Sequence, residues 1–182
     1  MGKYLVVNKR LLHRNMSYKS GQTERKVGSF SLVGHPHGDL IYTRRTHWQL
    51  LMNDLSPQEA ARFLDERSDA LFIDVRSEME YLFVGHPVGA LHVPWNEGPD
   101  WSINPDFVPQ VMRLAGTDPL LRPLVLICRS GNRSIDGGDA LEKAGFRSIY
   151  NVLNGFEGDL DESNHRNCVN GWRREGLPWE QC

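Results

Sequence analysis

Hydrophobic and polar positions change character near residue 50 of this chain. Upstream, residues 13–29 (HRNMSYKSGQTERKVGS) are polar, basic and without a period, which reads as loop or disorder. Two short apolar runs flank them, Tyr4-Leu-Val-Val and Ser29-Phe-Ser-Leu-Val, and both are candidate strands. From residue 54 the pattern becomes regular. Ser56-Pro57-Gln58-Glu59 opens a helix: Ser56 suits the N-cap, Pro57 the first helical position, and Glu59 the reciprocal capping-box partner. Ala60, Phe63 and Leu64 continue it with an apolar stripe at helical spacing. Apolar runs at 70–75, 90–94 and 123–128 read as buried strands, the second ended by Pro94. A fourth strand is expected over 148–153. Short helices are expected over 77–83 and 104–115, and a longer one over 134–144 closed by Gly145. The remainder, from Gly155, is rich in Gly, Asn and Asp, with one short helix expected over 170–174. Strands alternating with helices imply βαβ units and an α/β fold: a parallel sheet flanked by helices on both faces. We divide the chain into a basic, partly irregular N-terminal extension, 1–50, and one domain, 51–182.

Charge sharpens that division. The net charge of −2 conceals +7 in residues 1–50 and −9 in residues 51–182. A content of 40% hydrophobic residues is enough for a core. No apolar run approaches the roughly 18 residues that cross a bilayer, and the first residues lack the uninterrupted apolar stretch of a secretory signal. The expected setting is the cytoplasm, with no membrane partner. The basic segment has few aromatics and no nucleic-acid motif, so a nucleic-acid partner is not expected. His35-Pro-His37 lacks nearby Cys or carboxylate partners, and no metal is expected there. Three cysteines without a CxxC pair exclude a disulfide scaffold or zinc ribbon.

One cysteine stands where chemistry is expected. In LVLICRSGNRS, Cys128 follows a buried strand and precedes a helix, beyond the carboxyl end of the sheet where ligands bind. A tight loop entering a helix turns backbone N–H groups inward as an anion nest, and the helix N-terminus adds about half a positive charge. Arg129 and Arg133 add full charges. Such settings lower cysteine pKa values to between roughly 3.5 and 7.5, and the thiolate is the nucleophile. Gly131 permits the sharp turn; Ser130 and Ser134 offer hydroxyl donors; Asn132 completes the loop.

Four ordered segments make the chain resemble the rhodanese family. Phe72-Ile-Asp74-Val-Arg76 with Glu80-Tyr81 looks like its first motif. Gly85-His-Pro-Val-Gly-Ala-Leu-His-Val-Pro94 looks like its Gly-His-x-x-Gly-Ala segment. Cys128-Arg-Ser-Gly-Asn-Arg133 looks like the active-site loop. Gly145-Phe followed by Tyr150-Asn-Val-Leu-Asn-Gly155-Phe resembles the closing motif. The match covers about residues 54–160, and a Gly-Trp…Gly-Leu-Pro-Trp tail is similar to that of single-domain bacterial members.

The resemblance implies a rhodanese-like fold and a sulfurtransferase. Cys128 would take the outer sulfur of thiosulfate or a similar small anion as a persulfide and pass it to cyanide or a thiol, with no metal or organic cofactor. Arg129 would attract the donor's anionic end, Arg133 would hold the loop or bind the donor, and the N–H groups of residues 129–134 would stabilise the persulfide. A non-catalytic rhodanese-like module is the first alternative. A phosphatase or arsenate reductase on the same fold is the second, although the related phosphatases place Arg six residues after Cys, where this chain has Ser134. Gly137-Gly138 stand where the family usually has alanines, and either thin the helix for close packing or loosen it.

Other residues are weighed against structural roles. Asp74 and Arg76 are read as a structural pair that fixes loops around the site, and His86 and His92 as loop or packing residues. Trp95, Trp101 and Phe156 are either pocket walls or core. Trp172 and Trp179 are expected to pin the tail. Cys168 and Cys182 are read as spectator thiols rather than resolving partners for Cys128.

Overall fold

The computed structural model describes residues 52–182 and, upstream, only the backbone of two strands. The chain divides after Leu50. The upstream strands, β1 (Ser31–Gly34) and β2 (Leu40–Thr43), form an antiparallel hairpin. β1 falls on the Ser29-Phe-Ser-Leu-Val run; the Tyr4-Leu-Val-Val run and His35-Pro-His37 lie outside the described residues.

Downstream, a five-stranded parallel sheet carries the domain. Its strands are β3 (Met52–Leu55), β4 (Leu71–Asp74), β6 (Leu91–His92), β9 (Leu124–Ile127) and β10 (Ile149–Val152), in the order β3-β10-β9-β4-β6. Two-residue bridges complete the set: β5 (His86–Pro87) with β11 (Trp179–Glu180), and β7 (Asn96–Glu97) with β8 (Ser102–Ile103). The strand expected over 90–94 is regular for only two residues, but Val93 and Trp95 still donate to Asp74 and Val75.

The two-residue period of the strands sorts side chains to opposite faces. Leu71, Ile73, Leu124, Leu126 and Ile149 meet α2 (Phe107–Ala115) and α3 (Asn132–Lys143) on one face. Phe72, Val125, Ile127 and Val152 meet α1 (Pro57–Glu66) and Trp172 on the other. The expected α/β architecture, with helices on both faces, is the one found.

Local chemistry explains the helix ends. The Ser56–Glu59 capping box forms with Pro57 at the first position. α2 starts three residues later than expected, because the Asn104 side chain accepts from the Asp106 N–H at 2.9 Å and holds that stretch in a turn. The helix expected over 170–174 is instead a turn between Gly171 (φ 99°) and Gly176 (φ 72°), conformations that leave the helical region. Residues 78–84 do turn helically, but widen into a π-helical turn over Glu80–Val84. The side chain of Trp172, expected to pin the tail, is buried against Phe72 and donates from Nε1 to Pro178 O at 2.9 Å. Trp179 lies over the Arg173 guanidinium.

Candidate active site

β9 ends in Ile127, and the chain turns at once through residues 128–131 into α3. Gly131, with φ of 94°, makes that turn and donates its N–H to Cys128 Sγ at 3.1 Å. Cys128 is buried at the floor of a pocket of about 240 Å³, lined by Trp101, Cys128, Arg129, Ser130, Asn132 and Arg133. Ser134, in the first turn of α3, places its Oγ 3.3 Å from Sγ. Every residue expected in the loop is therefore gathered around the thiol, although the two arginines differ in their surroundings.

Arg133 is clamped. Its two terminal nitrogens donate to Glu80 Oε2 and Oε1, each at 2.7 Å. Glu80 is itself held by the Ser77 N–H and hydroxyl, so Ser77 and Glu80 form a second capping box at the start of the π turn. Burial pushes the Glu80 carboxyl up, but Arg133 and Ser77 outweigh it and bring it down to about 2. Burial disfavours the charged Arg133, yet the same carboxylate keeps its pKa above the ordinary value. Arg129 is the freer cation: its side chain is 48% exposed, with Nε 3.9 Å from Glu80 Oε1.

Asp74 and Arg76 are buried at the end of β4 and paired at 2.6 Å. Arg76 also donates to Gly85 O and sits over the Phe156 ring, its guanidinium carbon 4.2 Å from the centroid. Phe156 in turn donates its N–H to Cys128 O at 2.7 Å, and Glu157 and Gly158 donate to Arg129 O. The pair thus acts on the loop from behind, through Phe156. Gly155 (φ 59°) lets these backbones meet: a Cβ there would collide with Cys128 O. Of the three aromatic candidates, Trp101 lines the pocket, while Phe156 is core and Trp95 packs edge-on against Phe107. His86 and His92 stack on the two sides of Tyr81, as packing residues do.

Glu80 and the Gly155–Gly158 brace contact the loop in ways that sequence reasoning did not assign. The Ser77-x-x-Glu80 spacing was a visible signal for the first. Asn151 and Asp54, which continue the polar chain from Ser134, had none. Cys168 and Cys182 are exposed free thiols, and no group of three or more metal-binding side chains occurs among the described residues. No helix among them is long and apolar enough to cross a membrane.

A family model described as a rhodanese-like domain matches residues 56–162, more than half of the chain. The chain belongs to the rhodanese-like domain family. A solved structure from M. tuberculosis is 38% identical to this rhodanese-like protein, with a TM-score of 0.62 over 71% of this chain and 98% of that one. The polysulfide-sulfur transferase homodimer of Wolinella succinogenes is 27% identical, with a TM-score of 0.51 over 74% of this chain and 82% of its own. Thiosulfate sulfurtransferase 16, chloroplastic, of Arabidopsis thaliana is 32% identical over 59% of this chain and 77% of its own. Relatives of this rhodanese-like domain thus include sulfurtransferases.

Proposed function

We propose that this protein is a sulfurtransferase that moves a sulfane sulfur from thiosulfate or a similar small anion to a thiophilic acceptor, cyanide or a thiol, through a persulfide on Cys128. The observation that carries the reading is the Cys128 thiol at the floor of a small pocket, facing the Gly131 N–H, with Arg129 half-exposed beside it. The Cys128 thiolate attacks the outer sulfur of the donor. The S–S bond breaks, its electron pair leaves with sulfite, and a Cys128 persulfide remains. The acceptor then attacks the outer persulfide sulfur, and the Cys128 thiolate is returned as leaving group. The two steps balance without any external oxidant or reductant. Arg129 attracts the anionic end of the donor, and charge-assisted hydrogen bonds of this kind are the strong ones. Asn132, Ser130 and the loop N–H groups contact the anion, while Arg133 shapes the loop through Glu80.

The phosphatase reading is weaker. Arg133 stands five residues after Cys128, and its guanidinium is already engaged by a carboxylate rather than free for three phosphate oxygens. Incubation with thiosulfate tests the proposal: the intact mass rises by one sulfur atom in the native protein and not in Cys128→Ser. An unchanged native mass, with hydrolysis of an aryl phosphate, would replace it with the phosphatase reading. An unchanged mass without hydrolysis would favour the non-catalytic module.

A further inference from the structure

Behind the thiol, three side chains form a hydrogen-bonded line to the surface. Ser134 Oγ lies 3.3 Å from Cys128 Sγ and 2.7 Å from Asn151 Oδ1. Asn151 Nδ2 donates to Asp54 Oδ1 at 2.9 Å. Ser134 and Asn151 are buried, and Asp54 is exposed on edge strand β3.

A serine hydroxyl owns one hydrogen and can satisfy only one of two acceptors. The far end of the line decides which. The Asp54 carboxylate only accepts, so Asn151 must turn its NH2 toward it, and the amide oxygen then faces Ser134. That oxygen is buried, and leaving it unpaired is costly. The Ser134 hydrogen therefore goes to Asn151, the shorter contact, and Ser134 offers lone pairs to Sγ. Lone pairs suit an S–H donor and repel a thiolate. On this reasoning the Ser134 contact with sulfur is not a donation to a thiolate, which leaves the Gly131 N–H as the direct donor.

We propose that Asp54 and Asn151 are positioning residues that commit the Ser134 hydrogen away from Cys128, so that this line favours the protonated thiol and raises the pH at which the nucleophile is armed. The idea rests on Cys128 being that nucleophile. Charged groups facing Sγ from the elements around it are Arg129 and Arg133 on the loop and α3, Glu80 on the π turn, Asp74 and Arg76 at the end of β4, Glu157 on the segment that braces the loop, and Asp54 on β3. Asn151→Leu alters none of these charges and nearly keeps the volume, yet frees the Ser134 hydroxyl to rotate toward sulfur.

The test is the pH profile of Cys128 alkylation by iodoacetamide, read by intact mass in a Cys168→Ser, Cys182→Ser background. With Asn151→Leu the profile moves to lower pH by about one unit, roughly the worth of one hydrogen bond to an orphaned buried acceptor. Its high-pH plateau drops about threefold, since a less basic thiolate is a weaker nucleophile. Ser134→Ala alone leaves the profile in place or moves it to lower pH; added to Asn151→Leu, it moves the profile back to higher pH. That reversal of sign is not produced by a merely structural residue. If Ser134→Ala raises the profile equally in both backgrounds, Ser134 already donates to the thiolate and the proposal is overturned. Should Asn151→Leu fail to fold, Asp54→Ala at high salt, which screens the lost charge, must give the same downward movement; a stationary profile overturns it. Alkylation needs no sulfur donor, so failure of persulfide loading with the reversal intact would refute the proposed reaction and leave this inference standing.

Discussion

Glu80→Gln probes the clamp that engages the Arg133 guanidinium at the wall of the pocket. In the native protein two 2.7 Å charge-assisted hydrogen bonds join the groups, and both side chains are largely enclosed, at 13% and 16% exposed. Glutamine keeps the shape and one acceptor but loses the charge and the second acceptor. A hydrogen bond to a charged group contributes about 1.5–3 kcal/mol, and residual water contact favours the lower end, so the expected destabilisation at pH 7 is about 1–2 kcal/mol. For a domain of this size that corresponds to a melting-point loss of about 3–10 °C. The pH dependence supplies an independent check. The Glu80 carboxyl falls from 4.5 to about 2 on folding, so its contribution is complete above pH 4.5 and lost as the pH falls toward 2. Urea denaturation of native and variant at pH 7, 5, 4 and 3 should show a gap that is constant down to pH 5 and narrows below it. A gap that does not change between pH 7 and 3, or no gap at pH 7, would refute this account of the pair. The same variant frees Arg133 toward the pocket, so the KM for thiosulfate is expected to fall while the fold loosens.

Gly155→Ala places a Cβ against Cys128 O and forces a left-handed backbone on alanine, a cost of about 1–2 kcal/mol before the collision. We expect at least ~2 kcal/mol lost in urea denaturation and strongly slowed sulfur loading by intact mass; unimpaired loading would contradict the bracing role of that segment. Gly137→Ala gains about 1 kcal/mol of helix propensity, but its Cβ would lie 3.2 Å from Phe107 Cζ, and overpacking costs about 1–3 kcal/mol. A melting point raised by the full propensity gain would show that the glycine is not required by packing. Trp101→Ala removes an exposed side chain whose ring lies 5.9 Å from the Arg133 guanidinium, a contact of about 0.5–1 kcal/mol. Stability should change by no more than that, while initial rates show weaker donor binding; an unchanged KM would remove Trp101 from the site.

Much of this molecule is legible in local sequence. The buried strands β4, β9 and β10, the Ser56 capping box and the strand-to-helix turn at Cys128 follow from short-range rules: runs of apolar residues, a hydroxyl three residues before a glutamate, a glycine at a sharp turn. Those rules act within a few residues, so no partner from elsewhere is needed to read them. The family motifs added the family and the order of the segments. Strand β3 escaped because Met-Asn-Asp-Leu has neither β-branched residues nor an apolar run; it is a strand only because β10 offers it a parallel ladder. Gly137 and Gly138 were ambiguous until Phe107 and Met52 were found against them, which settles the choice for close packing. The standing of the two arginines was equally hidden. Composition counts both as cations beside a cysteine, whereas the fold brings Glu80, 53 residues away in sequence, against one of them and leaves the other half exposed. The sequence by itself determined the buried strands β4, β9 and β10 and most of the helices, and it singled out Cys128 and its loop as the place to look for chemistry. Charge neutralisation, hydrogen-bond direction and close contact depend on distances across the chain, and those only the tertiary structure decided.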